Sequence, residues 1–115
     1  SVFFKINNKI SLKSIIGKNL SIIKKIIFNQ IKKKIKVKLP NDILIDKKKV
    51  CGVLQEILYR NDYKYLIVGI GINIINSPNL LNYPTTYLNT YSKKKINKIK
   101  MINKIKLYFE KKYNN

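Results

Sequence analysis

Histidine and tryptophan are absent from this 115-residue sequence, cysteine and methionine occur once each, and there are only five acidic residues. Without histidine, the commonest metal ligand and the commonest general base are both missing. Cys51 has no second cysteine to pair with, which excludes a disulfide framework and a zinc cluster built on thiolates. It reads as a small buried hydrophobe. No apolar run is long enough to cross a bilayer and no signal peptide is visible, so a soluble protein of the reducing cytoplasm is expected, with no membrane partner.

What is present is lysine. Lysine and arginine together number 25, and the formal net charge at pH 7 is +20. Such a charge suits a polyanionic partner, and a basic nucleic-acid-binding module is one reading of it. Two features weigh against that reading. Arg60 is the single arginine, whereas base readout and bidentate phosphate contacts favour guanidinium. The lysines are also spread through a chain dominated by Lys, Ile and Asn, a bias that leaves them on solvated faces. Hydrophobic residues make up 45% of the chain, enough for a packed core. A complete domain of this size would bury roughly two-thirds of its unfolded surface.

Residues 2–6 are apolar and aromatic and read as a strand, with Asn7-Asn8 as a turn. A buried strand at the very start, with no methionine before it, implies that residues 1–115 are part of a larger domain. From Leu12 the spacing turns helical: Leu12, Ile16, Leu20, Ile23, Ile27 and Ile31 form one stripe, with Ser11 as N-cap. Gly17 weakens this helix slightly, and the lysines at 24, 25 and 32–34 fall on its other face or at its end. Ile35, Val37 and Leu39 alternate with lysines as a half-buried strand that Pro40 ends. Strands over 43–45, 50–59 and 63–71 follow, separated by turns at 46–48 and at Asn61-Asp62. In the last of these, Leu66, Val68, Ile70 and Ile72 share one face. Tyr65, Ile67 and two glycines form the other, so both faces read as buried. Residues 76–90, with Pro78 and Pro84, read as loop. From about Ser92, Ile96, Ile99, Ile102, Ile105 and Phe109 define a second amphipathic helix. The sum is an α+β fold: a mixed, largely antiparallel sheet flanked by helices.

Three polar or glycine-bearing segments interrupt these elements. They are Lys38-Leu39-Pro40-Asn41-Asp42, Lys49-Val50-Cys51-Gly52-Val53-Leu54-Gln55-Glu56, and Gly69-Ile70-Gly71-Ile72-Asn73. Singly, each has an ordinary explanation. Pro-Asn-Asp is a common turn, and Lys49 among charged neighbours is commonly solvated. Gly69 and Gly71 in a strand mark a bulge or a close backbone approach, to a ligand among other things. They are not a dinucleotide fingerprint, because the third glycine position holds Ile74 and no helix follows.

Together and in this order, the segments resemble the biotin–protein ligase family. Its pattern runs Lys-Trp-Pro-Asn-Asp, then Lys-(Leu/Val)-x-Gly-(Ile/Val)-Leu-x-Glu, then Gly-x-Gly-Ile-Asn, after a helix opened by Leu-Ser-Leu (here Ile10-Ser11-Leu12). Here Leu39 replaces the tryptophan and Cys51 stands where Ala or Gly is usual. The resemblance implies a class II synthetase-like biotin/lipoate ligase catalytic fold, of which 1–115 would be the C-terminal portion. The Gly/Arg-rich loop would lie upstream, and the segment alone would be incomplete for catalysis. It further implies that ATP and biotin, with Mg2+, give biotinyl-5′-AMP, and that the acyl group passes to a lysine of a biotin carboxyl carrier domain of a carboxylase. On the same resemblance, Lys49 lies beside the biotin carboxylate and α-phosphate, and the main chain at Gly52 lies against the biotin ring. Asn73 reads adenine, Asn41 and Asp42 line the adenylate and the approach of the carrier lysine, and Lys38 supports phosphate charge. Asp42 would orient the incoming amine or accept its proton. No residue is implied as a metal ligand, and a homodimer paired through sheet edges is one possible assembly. A lipoate–protein ligase relative is the neighbouring alternative, separated from the first reading by which acid is activated.

Overall fold

Two tight hairpin turns organise the middle of the chain. In a computed structural model, residues 2–79 and 83–113 are described; Ser1, from the expected first strand, and residues 80–82 of the expected loop lie outside the described residues. Asp46 and Lys47 take φ of 52° and 64°, and Asn61 and Asp62 take 52° and 67°. Two successive residues at positive φ match the twist of flanking antiparallel strands, and Asn and Asp tolerate that region best. The turns join β3 (Asp42–Ile45) to β4 (Lys48–Arg60), and β4 to β5 (Tyr63–Ile72).

β1 (Val2–Ile6) pairs with β5, and β2 (Ile35–Lys38) pairs with β3, giving the order β1-β5-β4-β3-β2. The expected α+β class holds. Every ladder in the sheet is antiparallel, and parallel pairing among the described residues is confined to the isolated bridge between Lys49 and Thr85. α1 (Leu12–Ile31) and α2 (Lys98–Tyr113) cover one face of this sheet. Ser11 caps α1, its Oγ accepting from the Ser14 N–H at 3.2 Å, a contribution of about 1 kcal/mol. Lys32 closes the helix in the left-handed region, donating its N–H to the Phe28 carbonyl at 2.9 Å.

The core lies between helices and sheet. Leu20, Ile23 and Ile27 of α1 are fully buried with Ile43, Ile45, Val50, Val53 and Leu66 of the strands, each contributing about 1.5–3 kcal/mol by leaving water. Phe109 of α2 stacks on Phe4 of β1 with ring centroids 6.1 Å apart. Beneath the helices sits a polar knot. Asn19, wholly buried, donates to Gln55 Oε1 at 2.8 Å and accepts at Oδ1 from Lys112 and Tyr113 at 2.9 and 2.7 Å. Gln55 donates in turn to the Ile16 carbonyl at 3.2 Å.

Several sequence expectations need correction. The buried stripe of α1 passes through Ile15 and Asn19, with Ile16 only half-buried, because the knot draws Asn19 inward. α2 starts at Lys98 rather than near Ser92, since Asn97 caps it by accepting from the Lys100 N–H at 3.1 Å. With that start, Met101, Ile105 and Phe109 face inward, while Ile99 and Ile102 are exposed and Ile96 is buried ahead of the helix. The expected loop over 76–90 runs into a 3-10 helix, Leu88–Tyr91, whose Leu88 is buried. Leu39 is exposed rather than half-buried, as β2 ends at Lys38. Only one face of β5 is covered: Leu66 and Val68 are buried, whereas Tyr65 and Ile67 are half-buried, because both helices pack on the same side. No helix among the described residues is long and apolar enough to cross a membrane.

Candidate active site

The uncovered face of the sheet carries the glycines. Gly52 on β4 lies opposite Gly71 on β5, and Leu54 lies opposite Gly69. With no side chains at these points, the main chain forms the floor of an open depression of about 320 Å³, lined by Asn41, Lys49, Gly52, Val53, Leu54, Gly69 and Gly71.

A bulge aims Lys49 at that floor. Ile43 pairs with Cys51, but Leu44 pairs with Lys49, so Val50 is an extra residue in β4. Side chains alternate along a strand, and without this insertion Lys49 would share the helix-covered face with Cys51 and Val53. The insertion returns it to the face of Gly52. The two then touch: a Cβ added at Gly52 would come within 3.1 Å of both Cε and Nζ of Lys49, whereas one at Gly71 would meet nothing within 4 Å. A side chain at 52 would therefore displace the end of Lys49 by a few tenths of an ångström.

The Lys49 ammonium is held by polar partners. Nζ lies 3.1 Å from Asp42 Oδ1, with the lysine side chain 33% exposed and the aspartate 16%. Val50 and Val53, which follow it in the strand, are buried on the helix side and anchor the strand rather than this side chain. The other Asp42 oxygen accepts a hydrogen bond from the Tyr83 hydroxyl, and that bond, with burial, raises the Tyr83 phenol above its ordinary range. Lys38, the cross-strand partner of Asp42, places Nζ 5.6 Å from the Tyr83 ring centre, and Lys49 places its own at 5.5 Å. Ammonium groups at such distances from a ring face are attracted to it.

Asn73 stands next to this cluster and outside the lining of the depression. Its N–H donates to the Val50 carbonyl at 2.9 Å, its Nδ2 to the Thr86 carbonyl at 3.2 Å, and its carbonyl accepts from the Leu88 N–H at 2.9 Å. Residues 84–86 also hold Lys49: its N–H donates to the Pro84 carbonyl at 2.9 Å, and its carbonyl accepts from the Thr86 N–H at 2.8 Å. One strip of chain thus positions both residues. Asn41 accepts at its carbonyl from the Val53 N–H at 2.7 Å, which leaves its side chain at the exposed rim.

Of the six residues singled out from sequence, Lys38, Asp42, Lys49 and Gly52 meet in one cluster, Asn41 lines the same depression, and Asn73 joins through the main chain. Tyr83 was missed. Its only local signal is an aromatic residue before a proline in a loop, and its partner Asp42 lies 41 residues upstream. Cys51 faces the core, 1% exposed, and burial pushes its thiol up to about 12, against the opposing pull of Lys49. That makes it inert rather than nucleophilic. No group of three or more His, Cys, Asp or Glu forms a metal site among the described residues. Asp42, the carboxylate in the cluster, is engaged by Lys49 and Tyr83, so these residues do not fit a magnesium cage. What they can do is receive an anion. A partly exposed ammonium beside bare main chain, with a second cation nearby, is charge arranged before the ligand arrives.

Residues 9–73 match the model of the biotin/lipoate A/B protein ligase family. Over 84 residues the chain is 39% identical to the bifunctional ligase/repressor BirA of Bacillus subtilis, a match covering 67% of this chain and 25% of that protein. Among solved structures, the biotin protein ligase of Aquifex aeolicus in complex with biotin and ATP is 26% identical, with a TM-score of 0.65 over 90% of this chain and 44% of that one. The Leishmania major biotin protein ligase in complex with biotinyl-5-AMP, 21% identical at a TM-score of 0.68, covers 89% of this chain and 47% of its own, a likeness of fold. The chain therefore spans about a quarter of the length of the curated relative and about half of the solved ones.

Proposed function

The chain belongs to the biotin/lipoate A/B protein ligase family, and from that premise we propose that it carries the anion-binding strands of a biotin–protein ligase, which activates biotin with ATP to biotinyl-5′-AMP and transfers it to a lysine of a biotin carboxyl carrier domain in the cytoplasm. The observation that carries this reading is the Lys49 ammonium laid against Gly52 beside Gly71. Activation brings the biotin carboxylate to the α-phosphate of ATP. Two anions must meet, so a fixed cation at their junction lowers the barrier. Lys49 supplies it, and Lys38 adds a second positive charge toward the phosphates. The side-chain-free strip at Gly52 and Gly71 admits a flat ring system against main chain. Asn73, with one amide hydrogen tied to Thr86, offers its remaining amide edge to adenine. Asn41 borders the adenylate. Magnesium enters only as the ion carried on the ATP phosphates.

In the second step the carrier amine attacks the acyl-adenylate. Free lysine amines are mostly protonated at neutral pH. Once Lys49 turns from Asp42 to the anionic substrate, the released carboxylate can orient that amine and take its proton.

The test is biotin-dependent ATP–pyrophosphate exchange by the whole protein that carries this chain. Lys49→Ala should lose at least about a hundredfold in rate, the scale of removing one preorganised charge from a transition state. Equal exchange by that variant would refute the role of Lys49. Exchange driven by lipoate in place of biotin would assign the chain to the lipoate branch of its family. Binding to nucleic acid with a steep salt dependence, in the absence of any exchange, would favour the basic-module reading instead.

A further inference from the structure

Tyr83 contacts three residues of the cluster yet serves no role in the reaction described above. Its hydroxyl donates to Asp42 Oδ2, while Asp42 Oδ1 receives Lys49 at 3.1 Å. Its ring has the Lys38 and Lys49 ammoniums 5.6 and 5.5 Å from its centre. Two flexible lysines close to one carboxylate would otherwise repel each other and swing out to solvent, for a lysine stem is long and its head is strongly hydrated. A carboxylate pinned at both oxygens cannot rotate away from its lysine, and a ring face attracts two cations at once without neutralising either. The ring is half-buried, and the backbone of this segment is secured separately through Pro84 and Thr86. The side chain is thus not needed to hold the loop.

We propose that Tyr83 is a positioning residue for the anion-binding lysines: its hydroxyl fixes the Asp42 carboxylate that receives Lys49, and its ring gathers Lys38 and Lys49 beside the glycine floor. A pair of convergent ammoniums suits the phosphate chain of a nucleotide better than a lone carboxylate. The reaction it serves rests on the ligase reading; the arrangement itself does not.

Two substitutions and one titration test it. Tyr83→Phe keeps the ring and should lower kcat for biotin-dependent pyrophosphate exchange about tenfold, with the KM for ATP nearly unchanged. Tyr83→Leu also loses the ring and should raise that KM about tenfold. Both should melt with the parent. Unchanged kcat and KM in both variants, or losses that follow a lowered melting temperature, overturn the proposal. The titration needs no activity. The groups facing the phenol are Asp42 on β3, Lys49 on β4 and Lys38 on β2. Asp42→Ala should therefore move the Tyr83 ionisation down, since the acceptor goes and two ammoniums remain. It is read at 295 nm against the Tyr83→Phe background, and an unmoved ionisation overturns the arrangement. If the whole protein that carries this chain shows no biotin-dependent exchange, the ligase reading fails. Inorganic pyrophosphate binding, followed by NMR, then decides the inference alone: about tenfold weaker in Tyr83→Leu supports it, and equal binding overturns it.

Discussion

Two lysines sit in polar networks on opposite faces of the same sheet, and their surroundings give them opposite uses. Lys49, on the open face, is 33% exposed and paired with a carboxylate. Lys112, on the helix side, donates to the neutral amide of Asn19, and burial together with the nearby Lys18 lowers its pKa. An ammonium with a carboxylate partner can exchange one anion for another. An ammonium whose acceptor is a buried amide is part of the packing. Residue type, network size and exposure do not separate the two, for Lys112 is itself exposed; the acceptor does.

The comparison breaks most visibly in activity. Lys49→Met should cut exchange about a hundredfold yet change stability by less than about 1 kcal/mol, because partly exposed ion pairs contribute little. Urea unfolding beside the exchange assay checks both halves. Asn19→Ala should do the reverse. It leaves Gln55, Lys112 and Tyr113 without their shared partner and should cost about 2–4 kcal/mol in unfolding, with exchange per folded molecule preserved. A smaller effect belongs to Cys51. Its folded pKa, about 12, is raised from 9.0. The buried neutral thiol therefore contributes stability that is fully present below pH 9 and is lost as pH rises through 12. A native chain should resist thiol reagents at pH 8, and Cys51→Ala should lose less stability on going alkaline. The smallest expected effect is at Lys112. Its folded pKa is lowered, so its contribution is present above the unfolded value of 10.5 and is lost as pH falls through the folded one. Lys18→Gln should raise that pKa, as followed by NMR of the ammonium, and should narrow the window.

Much of the fold was legible because it is written in local pattern. The two hairpins announce themselves in Asp46-Lys47 and Asn61-Asp62 between alternating residues, and Ser11 marks the start of α1. The errors have one origin. Ile15 in place of Ile16, and Met101 in place of Ile99 and Ile102, are cases where an apolar stripe was read correctly as helical but phased by the wrong neighbours. The phase was set by Asn19 meeting Gln55 and by Asn97 capping α2, and both partners are polar. In the site, Lys38, Asp42, Lys49 and Gly52 were legible through a motif. Tyr83 was not, because its meaning depends on Asp42, 41 residues away.

The chain alone determined its strands, hairpin turns and the start of α1, and the order of the polar segments that mark its family. These depend on dihedral preference and on periodicity among residues adjacent in sequence. Only the folded chain decided that Val50 bulges out of register, so that Lys49 points to the open face, and that residues 84–86 run beside it. A one-residue change of register turns a side chain to the other face of a sheet, and register is settled by strands meeting across space.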